Sequence, residues 1–519
     1  MKKYDVIIIG AGIGGLTAGA ILAKNGKKVL ILEKNPVAGG YVVNFRREGF
    51  KFDATLHVIN GCQEGGLTYK VLKEAGVHTK LDFIKPKFNS RLIYPDMDLS
   101  IPQCNLPEYL SLLIGKFPKE SIGIKNIIKT MIRIYDDVQK LYHSNISLKV
   151  QVLYFPIKYP YLFSYKDKTV EQLFNKFIKD EKLKTVMAQS WLYFGLPISK
   201  LSAIFFSYAW YDFLNNGVFF PKGGSGSLVR ALSDSIVENG GSILFNSEVK
   251  SLSIKNLEVT SVNTKENEDF ACSIISNLDP NQTFLSLIKN NILPRHFLAL
   301  VKGSNISSSA ITIYAGLKET NFSDFSDDYE IFLSNNYGTE NQFESCINND
   351  PNKVTFSLGL HYNLKDSTFS KEDRVISIST SSAYDTWARL SRDNYEDKKR
   401  RYSETILLRL KKYMPNLYNN ISLVNVSTPL TLERYTKNMQ GATYGLSQIT
   451  RQSGLKRMPQ TTPIRNLFLS GAWTQPGGGI CGVMLSGMHA AGAILDKNFY
   501  TESIDNQHLS SLLNKINKT

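Results

Sequence analysis

Tyr4-Asp5-Val6-Ile7-Ile8-Ile9-Gly10-Ala11-Gly12-Ile13-Gly14-Gly15 opens the chain as a buried strand running into a glycine turn and then a helix. Val6 to Ile9 is an unbroken β-branched run, the pattern of a parallel strand covered on both faces. Gly10, Gly12 and Gly15 stand at the G-x-G-x-x-G spacing. The first glycine permits a tight turn, the second lets main chain approach a pyrophosphate, and the third brings helix and strand together. The free N–H groups at the helix start then face the phosphates. Leu16 to Lys24 continues as a helix, Gly26 ends it, Val29 to Leu32 is the second strand, and Glu33 closes it. That acid falls about 20 residues after the first glycine, where a carboxylate accepts from a ribose hydroxyl. The stretch therefore predicts a dinucleotide site without saying which dinucleotide.

The rest of the composition narrows the class. The chain has 519 residues, 42% hydrophobic and 21% charged, enough for two or three domains with a substantial core. Its five cysteines are scattered without a C-x-x-C pair, which speaks against a disulfide framework or a zinc site and for a reducing, cytoplasmic setting. Lys2 and Lys3 before an apolar run resemble a signal peptide, but that run is the first strand of the glycine motif. No stretch reaches the roughly 18 uncharged apolar residues of a membrane span. The net charge of +15 comes without a nucleic-acid-binding motif, so nucleic acid is not expected as a partner. A lysine-rich solvated surface or attraction to an anionic membrane surface accounts for it.

In chain order, residues 1–64 carry the nucleotide motif and a second glycine pair, Gly39-Gly40, with His57 after Asp53. Residues 65–219 are helical in pattern, notably Leu106 to Phe117 and Ile122 to Leu141, with aromatics crowding Tyr154 to Tyr165. This suits a helical cap over an apolar pocket, or a membrane-contacting surface. At Pro221-Lys222-Gly223-Gly224 the pattern changes: a helix over Leu228 to Glu238, then strands over Ser242 to Phe245 and Val249 to Ile254. Residues 220–290 are thus expected to return to the nucleotide domain. Residues 291–454 read as a mixed-sheet substrate domain, with strands over Ser309 to Leu317, Val354 to Leu360 and Arg374 to Ser379, loops around 321–351, and a helix over Asp397 to Met414. Residues 455–500 complete the nucleotide domain, and 501–519 is a polar tail.

A second glycine constellation decides the cofactor. Leu467-Phe468-Leu469 leads into Ser470-Gly471-Ala472-Trp473-Thr474-Gln475-Pro476-Gly477-Gly478-Gly479-Ile480-Cys481-Gly482-Val483 and a small-residue helix carrying Ser486, His489 and Ala490. Gly477, Gly479 and Gly482 repeat the G-x-G-x-x-G spacing, but no strand ending in an acid follows, so they are not a second nucleotide motif. They are expected at another part of the same ligand, where a helix start stabilises negative charge on a reduced flavin. FAD is long enough to span both ends and fits better than NAD.

Taken together, the N-terminal motif with Glu33 and Gly39-Gly40, Pro221-Lys222-Gly223-Gly224, Ser276-Asn277-Leu278-Asp279-Pro280 and Gly471 to Ala491 resemble the phytoene desaturase family. That family is a branch of the FAD-dependent amine-oxidase-like flavoproteins and includes carotenoid desaturases, carotenoid isomerases and retinol saturases. The resemblance spans almost the whole chain. Thr428 to Tyr435 and Gly441 to Gly445 are similar to the isomerases and saturases, whereas the Gly471 to Gly477 wording is nearer the desaturases. The implied fold is α/β: an FAD-binding Rossmann-type, amine-oxidase-like and glutathione-reductase-related domain, interleaved with an α+β substrate domain.

The resemblance implies FAD as cofactor and a hydrophobic isoprenoid or polyene substrate, desaturated, saturated or isomerised by hydride transfer to or from the flavin. It places cofactor contacts at Gly10, Gly12, Gly14, Gly15, Glu33, Lys34, Gly39, Gly40, Val249, Gly471, Ala472, Gly479, Ile480, Gly482 and Val483. His57 is the titratable group expected nearest the flavin, able to act as acid or base near neutral pH. Arg434 and Tyr444 are the other catalytic candidates, and no metal is expected. Two alternatives stand beside this reading: an amine oxidase on the same fold, and a flavin-free prenyl-lipid-binding protein of the GDP-dissociation-inhibitor type.

Overall fold

A computed structural model describes residues 4–144, 154–288, 292–319, 327–364, 370–499 and 516. The expected tail beyond 500 lies almost wholly outside them. Tyr4–Ile9 sits at the centre of a five-stranded parallel sheet in the order Ser242–Leu244, Val29–Leu32, Tyr4–Ile9, Ala271–Ser276, Leu467–Leu469. Ile8 pairs with Ile31 on one side and Ile275 on the other. Both faces of the strand are covered: Val6 and Ile8 belong to one apolar core, Ile7 and Ile9 to another. That explains the continuous rather than alternating apolar run.

Because all five strands are parallel, their carboxyl ends lie along one edge, the usual place for a ligand in such sheets. Gly10, Glu33, Asn277 and Ser470 each follow a strand end directly. The helix Ile13–Lys24 packs beneath that edge against the C-terminal helix Ile480–Leu495. A Cβ at Gly487 would stand 2.3 Å from the carbonyl oxygen of Gly14, so the two helices meet at glycine.

A seven-stranded mixed sheet forms the second layer. Its order is Ile421–Ser427, Ser309–Leu317, Val375–Ser382, Phe356–Gly359, Glu330–Leu333, Phe88–Tyr94, Met97–Pro102. Two sequence expectations are corrected here. The stretch around 321–351 is not only loop: Glu330–Leu333 is a wholly buried strand, and Thr339–Ile347 is a helix. That helix hides from an apolar-pattern reading because only Thr339, Gln342 and Cys346 are buried, two of them polar. Residues 88–102, read with the helical stretch, form the hairpin at the edge of this sheet. Leu92, Ile93 and Tyr94 are buried in succession, so no clean alternation marks the strand.

The strand expected from Val249 runs instead over Ser251–Lys255. It joins Glu258–Asn263 in a separate antiparallel meander, not the parallel sheet. The helices fall close to expectation: Leu106–Lys116, Ser121–Tyr142, Ser225–Glu238 and Arg392–Tyr413. Ser121–Tyr142 buries Ile124, Ile127, Ile128, Met131, Ile134, Tyr135 and Val138, the three- and four-residue spacing of one helix face.

Candidate functional site

The glycine loop is shaped by its neighbours. Gly10 takes φ +95°, a conformation that side chains disfavour. A Cβ at Gly15 would fall 2.3 Å from the carbonyl oxygen of Gly10. The Glu33 carboxylate accepts the N–H of Ala11 and of Asn35, both at 2.8 Å, and ties the second strand to the loop. The N–H of Gly39 donates to the carbonyl of Ala11 at 2.8 Å, which lays the second glycine pair across the first.

Asn277 joins the two ends of the chain, a role that the sequence reading did not give it. Its side chain reaches the carbonyl of Gly10 at 3.4 Å and accepts the Ser470 hydroxyl at 3.1 Å. Cβ atoms at Gly12 and Gly14 would each stand 2.7 Å from its amide, and one at Gly14 also 3.1 Å from the nitrogen of Gly471. Beyond it, the N–H of Gly471 donates to Ser486 Oγ at 3.0 Å, and that hydroxyl bonds Thr474 at 2.6 Å. Ser486 is therefore a hydrogen-bond hub between the C-terminal helix and the Gly471–Thr474 turn.

A cavity of about 1030 Å³ follows this seam. Gly10, Gly12, Glu33, Lys34, Gly39, Gly40 and Val249 line it at one end, and Gly471, Ala472, Gly479, Ile480, Gly482 and Val483 line it further on. Gly14 and Gly15 lie behind its wall, where they permit close packing instead of touching a ligand. Burial lowers the pKa of Lys34, with Glu33 opposing. Two buried acceptors on the wall, Thr443 Oγ1 and Gln448 Oε1, have no protein partner among the described residues. A long glycine-lined cleft with unspent polar atoms fits a dinucleotide cofactor.

Past the glycines, the cavity wall turns apolar and aromatic, with Phe155, Leu162, Phe194, Ile204, Phe205 and Tyr208. His57 stands on the wall between. Its Nδ1 is 3.2 Å from Glu330 Oε2 and its Nε2 is 3.2 Å from Ser379 Oγ. The Tyr329 hydroxyl donates to the His57 carbonyl at 2.6 Å and fixes its main chain. Burial opposes a charge on His57, but the Glu330 carboxylate, helped by Asp53, outweighs it and raises the pKa above the ordinary histidine value. His361 nearby is pushed down to about 4 by burial and by His57, so it stays neutral. Burial also raises the pKa of Tyr193 and Tyr444, which keeps both hydroxyls protonated.

Sequence reasoning missed Glu330. It is 2% exposed and opens the buried strand Glu330–Leu333. The one available signal was an acid directly before Ile331-Phe332-Leu333, an apolar run with nothing to neutralise it. Arg434 is corrected in the other direction. Its side chain is exposed, lies over the Tyr435 ring at 4.8 Å and does not line the cavity; only its carbonyl meets Lys34, at 3.4 Å. Tyr444 does line the cavity.

Residues 13–495 match the model of the flavin-containing amine oxidoreductase family. The chain belongs to that family. It is an FAD-dependent oxidoreductase, and the flavin-free lipid-binding alternative falls away. Among curated relatives, the chloroplastic prolycopene isomerase of Daucus carota is 30% identical over 510 residues, 94% of this chain and 80% of that protein. The 1-hydroxycarotenoid 3,4-desaturase of Flavobacterium sp. (strain P99-3) is 26% identical over 511 residues, 96% of this chain and all of that protein (100%). These relatives agree with the phytoene desaturase-like resemblance. Among solved structures, cyclohexylamine oxidase from Brevibacterium oxydans superposes with a TM-score of 0.61 at 17% identity, covering 95% of this chain and 99% of that one. At that identity the likeness shows the fold alone, so the amine-oxidase alternative gains no substrate from it.

Proposed function

We propose that this flavoprotein acts on the carbon–carbon double bonds of a hydrophobic polyene, with cis–trans isomerisation as the reaction. The observation that carries the reading is the continuity of the cavity: a glycine-lined dinucleotide cleft opens into an apolar arm, with His57 on the shared wall. The curated relatives support the substrate class, since one isomerises prolycopene and another desaturates a hydroxycarotenoid.

When bound, FAD supplies or accepts the electrons of the reaction. Glu33 and the crossed glycine pairs hold its dinucleotide. Phe194, Phe205 and Tyr208 orient the chain and exclude water, as an apolar substrate with few polar handles requires. His57 holds a proton at the cavity wall, shared with Glu330 at Nδ1. Glu330 lies behind His57 and acts through it. An acid kept charged by a buried carboxylate is suited to giving a proton to a polyene carbon and taking it back. Mass spectrometry of ligands extracted from protein purified from its native host tests the substrate class. The expected result is FAD together with a polyene; an amine-bearing ligand in place of the polyene contradicts it.

The mouth of the apolar arm points to how such a substrate arrives. Leu455 lines the cavity and is 44% exposed, and Phe155, Leu162 and Lys166 line it too. Tyr154, Ile157 and Phe163 beside them are exposed, at 61%, 82% and 43%. Three lysines lie in or against this segment: Lys166 over the Phe163 ring at 4.6 Å, Lys158 over the Tyr159 ring at 5.5 Å, and Lys456 bridging to Asp167 at 2.5 Å. No described helix is long and apolar enough to cross a membrane. Exposed aromatics interspersed with lysines suit peripheral docking on an anionic bilayer, each lysine contributing about 1 kcal/mol near the surface. In a flotation assay, the protein is expected to rise with phosphatidylglycerol vesicles and not with phosphatidylcholine alone. Ile157→Glu with Phe163→Glu is expected to abolish that; equal flotation of the variant would show that this surface is not the docking face.

A further inference from the structure

The strongest unused feature is a buried cation behind the cofactor wall. Arg457 is 2% exposed. Its guanidinium is spent on main-chain carbonyls: Nε donates to Thr474 at 3.1 Å, Nη1 to Leu446 at 3.0 Å and Gln452 at 3.4 Å, and Nη2 to Ala472 at 2.6 Å. Among the described residues no carboxylate is paired with it. Carbonyl dipoles satisfy its N–H groups but do not cancel its charge. Burying a lone cation is costly, and hydrogen bonds to neutral carbonyls leave its charge free to act on its surroundings.

Its position suggests what the charge is for. The turn that it grips runs from Ala472 to Gly478, and Ala472, Trp473, Pro476 and Gly478 from that turn line the cavity. A Cβ at Gly477 would stand 3.2 Å from the guanidinium carbon. The charge therefore lies one layer of main chain behind the wall. In a low-dielectric setting a fixed charge at such range acts strongly on any charge that forms in the cavity. Reduction adds negative charge to a flavin, and a nearby fixed cation favours the reduced form.

We propose that Arg457 is a positioning residue that holds the Ala472–Gly478 turn and, through its uncompensated charge behind that turn, raises the reduction potential of the bound flavin. The proposal rests on the reading that the flavin ring lies at this end of the cavity. Prolycopene-type isomerisation leaves no net oxidation in its product, so a flavin kept reduced is of direct use to it.

The test is the midpoint potential of purified holoprotein, measured by equilibration with a reference dye, alongside FAD affinity of the apoprotein. Arg457→Gln is expected to shift the oxidised-to-reduced equilibrium at least tenfold toward oxidised flavin, about 30 mV more negative for a two-electron couple. Arg457→Lys keeps the charge while losing most of the carbonyl bonds, and is expected to stay near the wild-type potential with weaker FAD retention. Gln475→Ala removes neutral ties from the same turn, to the Leu455 and Arg457 carbonyls at 3.0 and 3.1 Å, and is expected to leave the potential unchanged. An unchanged potential in Arg457→Gln with FAD bound overturns the proposal, as does an equal fall in all three variants. Should Arg457→Gln not yield folded holoprotein, Arg457→Lys decides: a preserved potential with weakened retention supports the charge role, and a potential that falls with retention overturns it. A wild-type protein that binds no FAD would instead refute the cofactor assignment itself.

Discussion

Replacing His57 by Asn is expected to slow polyene turnover by roughly 10²- to 10⁴-fold, the usual contribution of a positioned acid–base group, while leaving FAD binding unchanged. Glu330→Gln is expected to show a different signature. In the native protein the Glu330 carboxylate outweighs burial and raises the His57 pKa, so the protonated ring persists to higher pH than an ordinary histidine. Its loss leaves burial dominant and lowers that pKa. The alkaline limb of the pH–rate profile then moves to lower pH. Stability follows the same sign: the pair's contribution is complete below the ordinary histidine pKa and is lost as pH rises through the raised one. Glu330→Gln should therefore narrow the difference in thermal stability between mildly acidic and alkaline buffer. A pH–rate profile of Glu330→Gln that overlays the wild type would remove the pair from the mechanism.

The second large effect concerns the seam between the chain's two ends. Gly14 lies where Asn277 and Gly471 meet the first helix, and a Cβ there would stand 2.7 Å from the Asn277 amide and 3.1 Å from the Gly471 nitrogen. Gly14→Val has to displace Asn277, which itself touches the Gly10 carbonyl. Overpacking of this kind costs about 1–3 kcal/mol. Carried by the cofactor-binding conformation, that cost weakens FAD binding by about tenfold for each 1.4 kcal/mol. The purified variant is expected to be largely colourless. Gly115→Ala is the control, because a Cβ at Gly115 meets nothing within 4 Å and the residue sits inside the helix Leu106–Lys116. A Gly14→Val protein that holds flavin as tightly as the wild type would show that the two ends do not jointly build the site.

These two sites were not equally legible in the sequence. The strand, glycine turn and acid from Tyr4 to Glu33 are local, so spacing alone placed them, and Gly471 to Val483 announced itself in the same way. The His57–Glu330 pair spans 273 positions, and no local pattern connects its halves. His57 stood out because it is titratable and follows the nucleotide motif. Glu330 did not, since its strand follows Asp327 and Asp328 and looks like a loop. Arg434 shows the opposite error: sequence proximity to an informative segment suggested a role, but the helix Pro429–Thr436 leaves its side chain exposed at the surface. The large sheet was hard to read for a related reason. Strands such as Phe88–Tyr94 are buried on both faces near one end, so the alternation that marks a half-exposed strand is missing. Arg457 left no signal at all, because its partners are carbonyls, and main-chain acceptors are invisible to side-chain patterns.

In the proposed reaction one cavity brings a reduced flavin and an acid–base residue to a polyene. The most direct test is to incubate FAD-loaded protein, reduced and under anaerobic conditions, with a cis-polyene such as prolycopene, and to follow the product by chromatography and mass. The predicted result is a change of double-bond geometry at unchanged mass, dependent on His57. Unchanged polyene under these conditions, together with oxidation of amines and release of peroxide in air, would contradict it.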